Sequence, residues 1–265
     1  MSSQVTCVYR VARGGLSDSA LRTAVAAVSV KNSIGDVLST LGLRVISDST
    51  VTAGAFAVRT IVFTWLPSAS ATMAAATINA DGQLNPITVT APGADYVLPP
   101  IALAGGGPPY KNAILRSWLK VVGSTIAAPG SGYSAATFAT VIGQLAPSKP
   151  NARQAKLGLT IVAGAINAVT IADAGSGYVG IPVVTITDPG VTPGSGGEVD
   201  LSMGVDEVEV VYPGQGFQSA PTILLLPAFE SSFVGSEDKP FFNLMTSAIQ
   251  QAILSPVSAD APIVS

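Results

Sequence analysis

The stretch Ala172-Asp173-Ala174-Gly175-Ser176-Gly177-Tyr178-Val179-Gly180-Ile181-Pro182-Val183-Val184-Thr185-Ile186 decides how the rest of this chain reads. Two glycines around one small residue allow a tight reversal, because glycine accepts the positive φ that side chains disfavour. The ring that follows folds back over the strands as a plug. Pro182 fixes φ and has no N–H to give to a ladder, so it suits the entrance of a strand or a sheet edge. The β-branched run after it is the strand itself.

The pattern occurs four times. Gly130-Ser131-Gly132-Tyr133 is identical to Gly175–Tyr178, Gly214-Gln215-Gly216-Phe217 is a close variant, and Gly93-Ala94-Asp95-Tyr96 is a looser one. The rings Tyr96, Tyr133, Tyr178 and Phe217 are 37, 45 and 39 residues apart, a period of about 40. Pro100, Pro182 and Pro221 follow their rings by four positions, whereas the second copy has Ala136-Thr137 there and the first has Asp95 in place of the second glycine. Those two copies are expected to have different turns or to face a different neighbour. Upstream of the third copy, Ile161–Ile171 reads as a hairpin bent at Ala163-Gly164. Modules of two or three short strands cannot bury a core alone, so each must stack on its neighbours. Gly93, Gly130, Gly132, Gly175, Gly177, Gly214 and Gly216 are read as structural turns, and the four rings as core plugs.

A hydrophobic strand, Gly, a strand, Gly-Ser-Gly-Tyr, a short gap, Pro and Val-x-Ile together resemble the glycine-rich β repeats of tailed-bacteriophage virion proteins of the tail, neck, fibre-attachment and decoration kinds. The resemblance covers roughly residues 74–228 and none of the first 70. It implies a structural role in a virion, without naming the place in the particle.

Composition points the same way. Apolar residues make up 48% of the chain and charged ones 11%, against about a quarter charged in ordinary domains. Mean hydropathy is +0.50, yet no run of 18 uncharged apolar residues escapes interruption by Gly, Pro or polar residues, so no membrane span is expected. So few charges on a soluble monomer would leave sticky surface, which favours burial in a multi-copy ring or shell. Residues 1–156 hold 12 Lys+Arg and 5 Asp+Glu, and residues 157–265 hold one base, Lys239, and 11 acids. A basic half and an acidic half can pair head to tail between copies or with a stacked partner. Lys149, Arg153 and Lys156, in the Gln144–Ala155 loop and just after it, and Asp206, Glu207 and Glu209 are the assembly candidates this suggests. The bases are scattered without aromatic interleaving, so nucleic acid is not an expected partner.

The first 70 residues read as a small α+β assembly domain of order β-α-α-β-β. Val5–Val11 alternates as a strand; Ser19–Val28 and the stretch around Ile34, Val37, Leu38 and Leu41 have helical spacing; strands follow near Leu43–Ser47 and Ala57–Leu66. Ser33 and Asp36 approximate a capping box, and Gly42 is a stop. Pro67–Ala71 is expected to be a linker into the repeats at 71–228. In residues 229–265, Asp238 caps a helix carrying Phe241, Phe242 and Met245, further assembly candidates, and Val257–Ser265 follows as an extended arm docked on a neighbour or on the chain's own body. The expected fold is therefore mainly β, with a small α+β N-terminal domain, a four-module β-repeat array, and a C-terminal helix with an arm.

Catalysis finds little footing. The chain has no histidine, which removes Ser-His-Asp, Cys-His and His-bearing metal devices. The lone Cys7 forms no internal disulfide and reads as a small buried hydrophobe. Asp206, Glu207 and Glu209 could be imagined as glycosidase carboxylates. On a strand, however, Asp206 would point away from the other two, and a solvated acidic face is the plainer reading. The glycines of Asp188–Gly197 lack the Gly-Lys-Ser/Thr of a phosphate cradle. The expectation is a non-enzymatic, multi-copy virion protein of tail, baseplate or neck, without cofactor or metal, assembled in a host cytoplasm with copies of itself and other virion proteins. The alternatives are a capsid decoration protein and a carbohydrate-binding adhesin, the latter calling for exposed rings.

Overall fold

The computed structural model describes residues 4–12, 17, 44–53, 56–64, 66–105, 111–226, 228 and 263–264. Among them all regular structure is β. The helices expected at 19–28, 34–41 and 240–253 lie outside the described residues, as do Phe241, Phe242 and Met245. The chain divides into two compact units, Met1–Leu66 with Phe229–Ser265, and Pro67–Ala228.

The first unit contains a four-stranded antiparallel sheet. β1 (Gln4–Ala12), β2 (Arg44–Ala53), β3 (Phe56–Thr64) and β14 (Ile263–Val264) lie in the order β14-β1-β3-β2. Strand alternation puts Arg59, Ile61 and Phe63 on one buried face of β3. Arg59 is tolerated there because its guanidinium grips the Asp48 carboxylate with two bonds, Nε to Oδ1 at 2.9 Å and Nη2 to Oδ2 at 2.5 Å. Ile263 and Val264 pair with Val8 and Cys7. The described tip of the C-terminal arm thus lies on the chain's own first strand, filling part of a sheet edge.

The second unit takes in residues expected to be linker. Ala69 bridges Ala94, and the Ala71 N–H donates to the Tyr96 hydroxyl at 2.9 Å. Pro67–Ala71 therefore belongs to the first repeat, because the first turn needs a backbone to lie against.

The repeats do not stack in sequence order. Each ring is followed five positions later by a strand of five residues: β6 (Ile101–Gly105), β8 (Phe138–Ile142), β11 (Val183–Thr187) and β13 (Thr222–Leu226). β6 pairs antiparallel with β13, and β8 with β11, so the first repeat joins the fourth and the second joins the third. Two 18-residue strands, β7 (Ile114–Ser131) and β12 (Ser195–Tyr212), run antiparallel along their whole length. Two hairpins complete the unit: β4 (Thr72–Met73) with β5 (Val89–Ala91), and β9 (Lys156–Val162) with β10 (Ala165–Asp173).

These pairings give the unit an internal two-fold. Elements recur 81 to 84 positions later: β6 as β11, β7 as β12, β8 as β13. Equivalent hydrogen bonds recur with them. Tyr178 N–H donates to Leu119 O and Tyr96 N–H to Met203 O; Val121 N–H donates to Ala174 O and Val205 N–H to Pro92 O. The axis passes through the middle of β7 and β12, where Leu119 pairs with Val205 and Val121 with Met203. Those four side chains are 0–2% exposed and form the centre of the core with Tyr96 and Tyr178.

The two copies that depart from the pattern keep the same turn. Asp95 takes φ 59°, the left-handed region its glycine counterparts occupy, which Asp tolerates better than most residues. Thr137, standing where others have proline, fixes its turn through its own groups. Both its N–H and its Oγ1 donate to Ser134 O. The hairpin at Ala163-Gly164 has both residues at positive φ, 50° and 77°, as a two-residue hairpin turn of matching twist requires.

All seven turn glycines have φ between 64° and 79°. Gly175 shows why: a methyl there would sit 2.7 Å from Ala155 N and 2.9 Å from Arg153 O, both backbone atoms that cannot swing away. Gly175→Ala is expected to lower stability by about 1–3 kcal/mol, through strain at positive φ added to this clash. Gly180→Ala, where no atom lies within 4 Å of the new methyl, is the control and should be close to neutral. Thermal and urea denaturation of the two variants compares them; equal stabilities would refute the close-approach account.

Candidate assembly surface

Each turn is one half of a staple. The first glycine of a copy lies against a passing backbone segment, and the ring covers the contact. For Gly93, Gly130, Gly175 and Gly214 the neighbouring backbone atoms belong to Ala69/Ala71, Ser195/Gly197, Arg153/Ala155 and Lys111/Ala113. In three copies the tyrosine hydroxyl then accepts a hydrogen bond from the second residue of that segment. Ala71 N–H reaches Tyr96 at 2.9 Å, Gly197 N–H reaches Tyr133 at 2.8 Å, and Ala155 N–H reaches Tyr178 at 2.6 Å. Phe217 has no hydroxyl to offer Ala113. All four rings are 0–7% exposed. Burial pushes the Tyr96 and Tyr178 hydroxyls up in pKa, against the lowering effect of the bonds they accept.

The Asp188–Gly194 loop is organised by one carboxylate. Asp188 accepts from Gly194 N–H at 2.9 Å, Gly190 N–H at 3.2 Å, Ser134 N–H at 3.1 Å and the Ser134 hydroxyl. The Gly194 bond first, and then the others, hold its pKa well below the ordinary carboxylate range. Its glycines therefore close around a side chain of the protein itself. Ser195–Gly197 already belongs to β12.

Among the charged assembly candidates, Lys149 meets Asp206 and Glu207 within the chain, and Arg153 meets Asp173. Lys149 binds Asp206 at 3.2 Å and also Glu207, with its own side chain 7% exposed. Burial works against its charge, but the bonds to Glu207 and Asp206 outweigh that and raise its pKa. Arg153 holds Asp173 through two bonds, at 2.9 and 3.0 Å, and so depresses the Asp173 pKa. Lys156 is exposed opposite Asp173 at the start of β9. Lys149, Asp206 and Glu207, expected to pair between copies or with a stacked partner, pair with one another within the chain, where the loop folds back on β12. The expected separation of Asp206 from Glu207 fails for a local reason. A β-bulge leaves Asp206 as the extra residue between Val205 and Glu207, which re-aims its side chain. Asp206 also accepts from the Ser176 hydroxyl at 2.6 Å. Glu209, opposite Arg116, has one buried oxygen without a partner, as has the Trp118 indole N–H. Arg116 lies 5.5 Å over the Trp118 ring.

The five-residue strands contribute an exposed apolar surface: Ile101, Leu103, Phe138, Ile142, Val183, Leu224 and Leu226 are each 45–62% accessible. Sequence reasoning identified these runs as strands but not as surface. The clue was the fixed offset of five residues from each ring, combined with a two-repeat periodicity of about 82. Among the described residues no group of three or more His, Cys, Asp or Glu could hold a metal ion, and no helix is long and apolar enough to cross a membrane. No family model, curated protein or solved structure matches this chain.

Tyr178→Phe leaves the buried Ala155 N–H without its acceptor and should cost about 1–3 kcal/mol, whereas Phe217→Tyr supplies the missing hydroxyl to Ala113 and should be neutral or stabilising. Denaturant midpoints of both variants decide this; loss of stability in Phe217→Tyr equal to that in Tyr178→Phe would refute the equivalence of the four copies. The depressed Asp188 pKa stabilises the fold above the ordinary value of 3.8 and loses effect as pH falls below it. Asp188→Asn should therefore lower the melting temperature at pH 7, with the gap to wild type narrowing between pH 4 and pH 2.

Proposed function

We propose that this protein is a non-enzymatic structural component of a tailed-phage virion, present in several copies in the tail, baseplate or neck. The resemblance of the Gly-Ser-Gly-Tyr repeats supports the setting. The observation that carries the structural role is the surface chemistry of the repeat unit: apolar side chains stand outside on strands that hold no charge, around a core locked by backbone staples. Charged groups that could do chemistry are engaged in holding loops, as Asp188, Lys149 and Arg153 illustrate. A rigid body with sticky flanks suits a building block that is buried among copies. The burial of Tyr133 and Tyr178, 7% and 0% exposed, weighs against an adhesin that binds glycans through these rings.

Quantitative mass spectrometry and antibody labelling of gradient-purified particles test the proposal. The protein should co-purify at several copies per particle and label one end of the tail or the neck. Its confinement to the soluble lysate, with none in particles, would overturn the reading.

A further inference from the structure

Residues 143–155 join the two halves of the repeat unit, and the internal two-fold relates the two ends of that connection to the two ends of the unit. Ala69 and Ala71 correspond to Arg153 and Ala155, 84 positions on. Each pair backs the first glycine of a turn, and its second member donates to the ring hydroxyl. The hairpins agree down to their irregularities. Thr72 pairs with Ala91 and Met73 with Val89, as Lys156 pairs with Asp173 and Leu157 with Ile171, and the register shift falls in the same place. At the other end, Phe138–Ile142 corresponds to Thr222–Leu226.

Within the unit, the exit of the first half lies beside the entry of the second. Gly143, just past β8, donates its N–H to Gln154 Oε1 at 3.1 Å, and its carbonyl accepts from Gln154 Nε2 at 2.7 Å. A methyl on Gly143 would sit 2.9 Å from the Tyr178 ring, and the hydroxyl of that ring holds Ala155. One ring therefore touches both the outgoing and the incoming chain. The two-fold carries Ile142 onto Leu226, Gln154 onto Ser70, and Tyr178 onto Tyr96, whose hydroxyl holds Ala71.

We infer that the repeat unit is a self-contained insertion in the first unit: its entry at residues 67–71 and its exit after Leu226 lie side by side at Tyr96, and it folds and unfolds separately from the first unit. This goes beyond the virion reading and does not depend on it. The first unit is built from segments on both sides of the insertion, Met1–Leu66 and Phe229–Ser265, and the later segment supplies β14 to β1. The described core residues of the repeat unit, from Ala71 to Leu225, all come from within it, so its apolar burial needs nothing from outside. Adjacent ends return the chain to the place it left. Even when the insertion opens, the cost of closing the longer loop grows only with the logarithm of its length. The first unit can therefore keep its sheet while the repeat unit opens, and each behaves as its own cooperative body.

Two measurements on the full chain test this. In a Cys7→Ser background, spin labels go on two exposed, two-fold-related pairs: Thr72→Cys with Leu226→Cys, and Lys156→Cys with Ile142→Cys. The distances read by pulsed electron paramagnetic resonance should coincide. A clearly longer separation between positions 72 and 226 than between 156 and 142 overturns the adjacent ends. Hydrogen exchange with mass spectrometry across a urea series reads the independence. Peptides from 67–228 and peptides from β1 and β3 should lose protection at different urea concentrations, and Gly175→Ala should shift only the former. Loss in step in the wild type, or an equal shift of both sets in the variant, overturns the separate units. Neither readout involves particles, so failure here leaves the virion reading untouched, and absence from particles leaves this inference standing.

Discussion

The close approach of one backbone to another at a glycine is the constraint on which the repeat unit depends. At Gly175 the passing Arg153–Ala155 segment comes so near that no Cβ fits, and Tyr178 then lies across the junction and accepts a hydrogen bond from Ala155. The contact excludes water, fixes a positive φ and satisfies a buried donor in one move. A larger residue would break all three. The same device stands at Gly93, Gly130 and Gly214, joining segments distant in sequence, so four local turns act as long-range fasteners.

Those fasteners explain why the unit closes on itself. The Gly130 staple grips Ser195–Gly197 across the two halves, and β7 and β12 continue that grip along their full length. Each half contributes strands that lack partners until the other half arrives. β6 waits for β13 and β8 for β11, and the core residues Leu119, Val121, Met203 and Val205 are buried only when both long strands are present. Each half keeps one hairpin of its own, β4/β5 or β9/β10, and its remaining strands find partners only across the internal two-fold.

Charge plays a subordinate part. With 11% charged residues the chain cannot coat its surface with ions. It uses several of them to tie loops down: Lys149 to β12, Arg153 to Asp173, Asp188 to the backbone of its own loop. The outer faces of the five-residue strands are left to aliphatic, Phe and Thr side chains.

The sequence by itself determined the local chemistry. Gly-x-Gly-aromatic marks a reversal with a plug wherever it occurs, because φ and ring burial are set by the residues themselves, and the proline or threonine after it marks a strand entrance. The first-unit strands were legible for the same reason: alternation is a local signal. Only the tertiary structure decided which repeat meets which, since antiparallel partners are chosen by distant backbones and a period near 40 is equally compatible with serial stacking. It also decided that Asp206 turns toward Lys149, because the bulge that re-aims it arises from the register of β7 against β12 and leaves no mark in Val205-Asp206-Glu207. Exposure of Leu103 and Leu224 was hidden for a related reason. A run such as Thr-Ile-Leu-Leu-Leu reads as buried on both sides until the packing shows that one face has nothing against it.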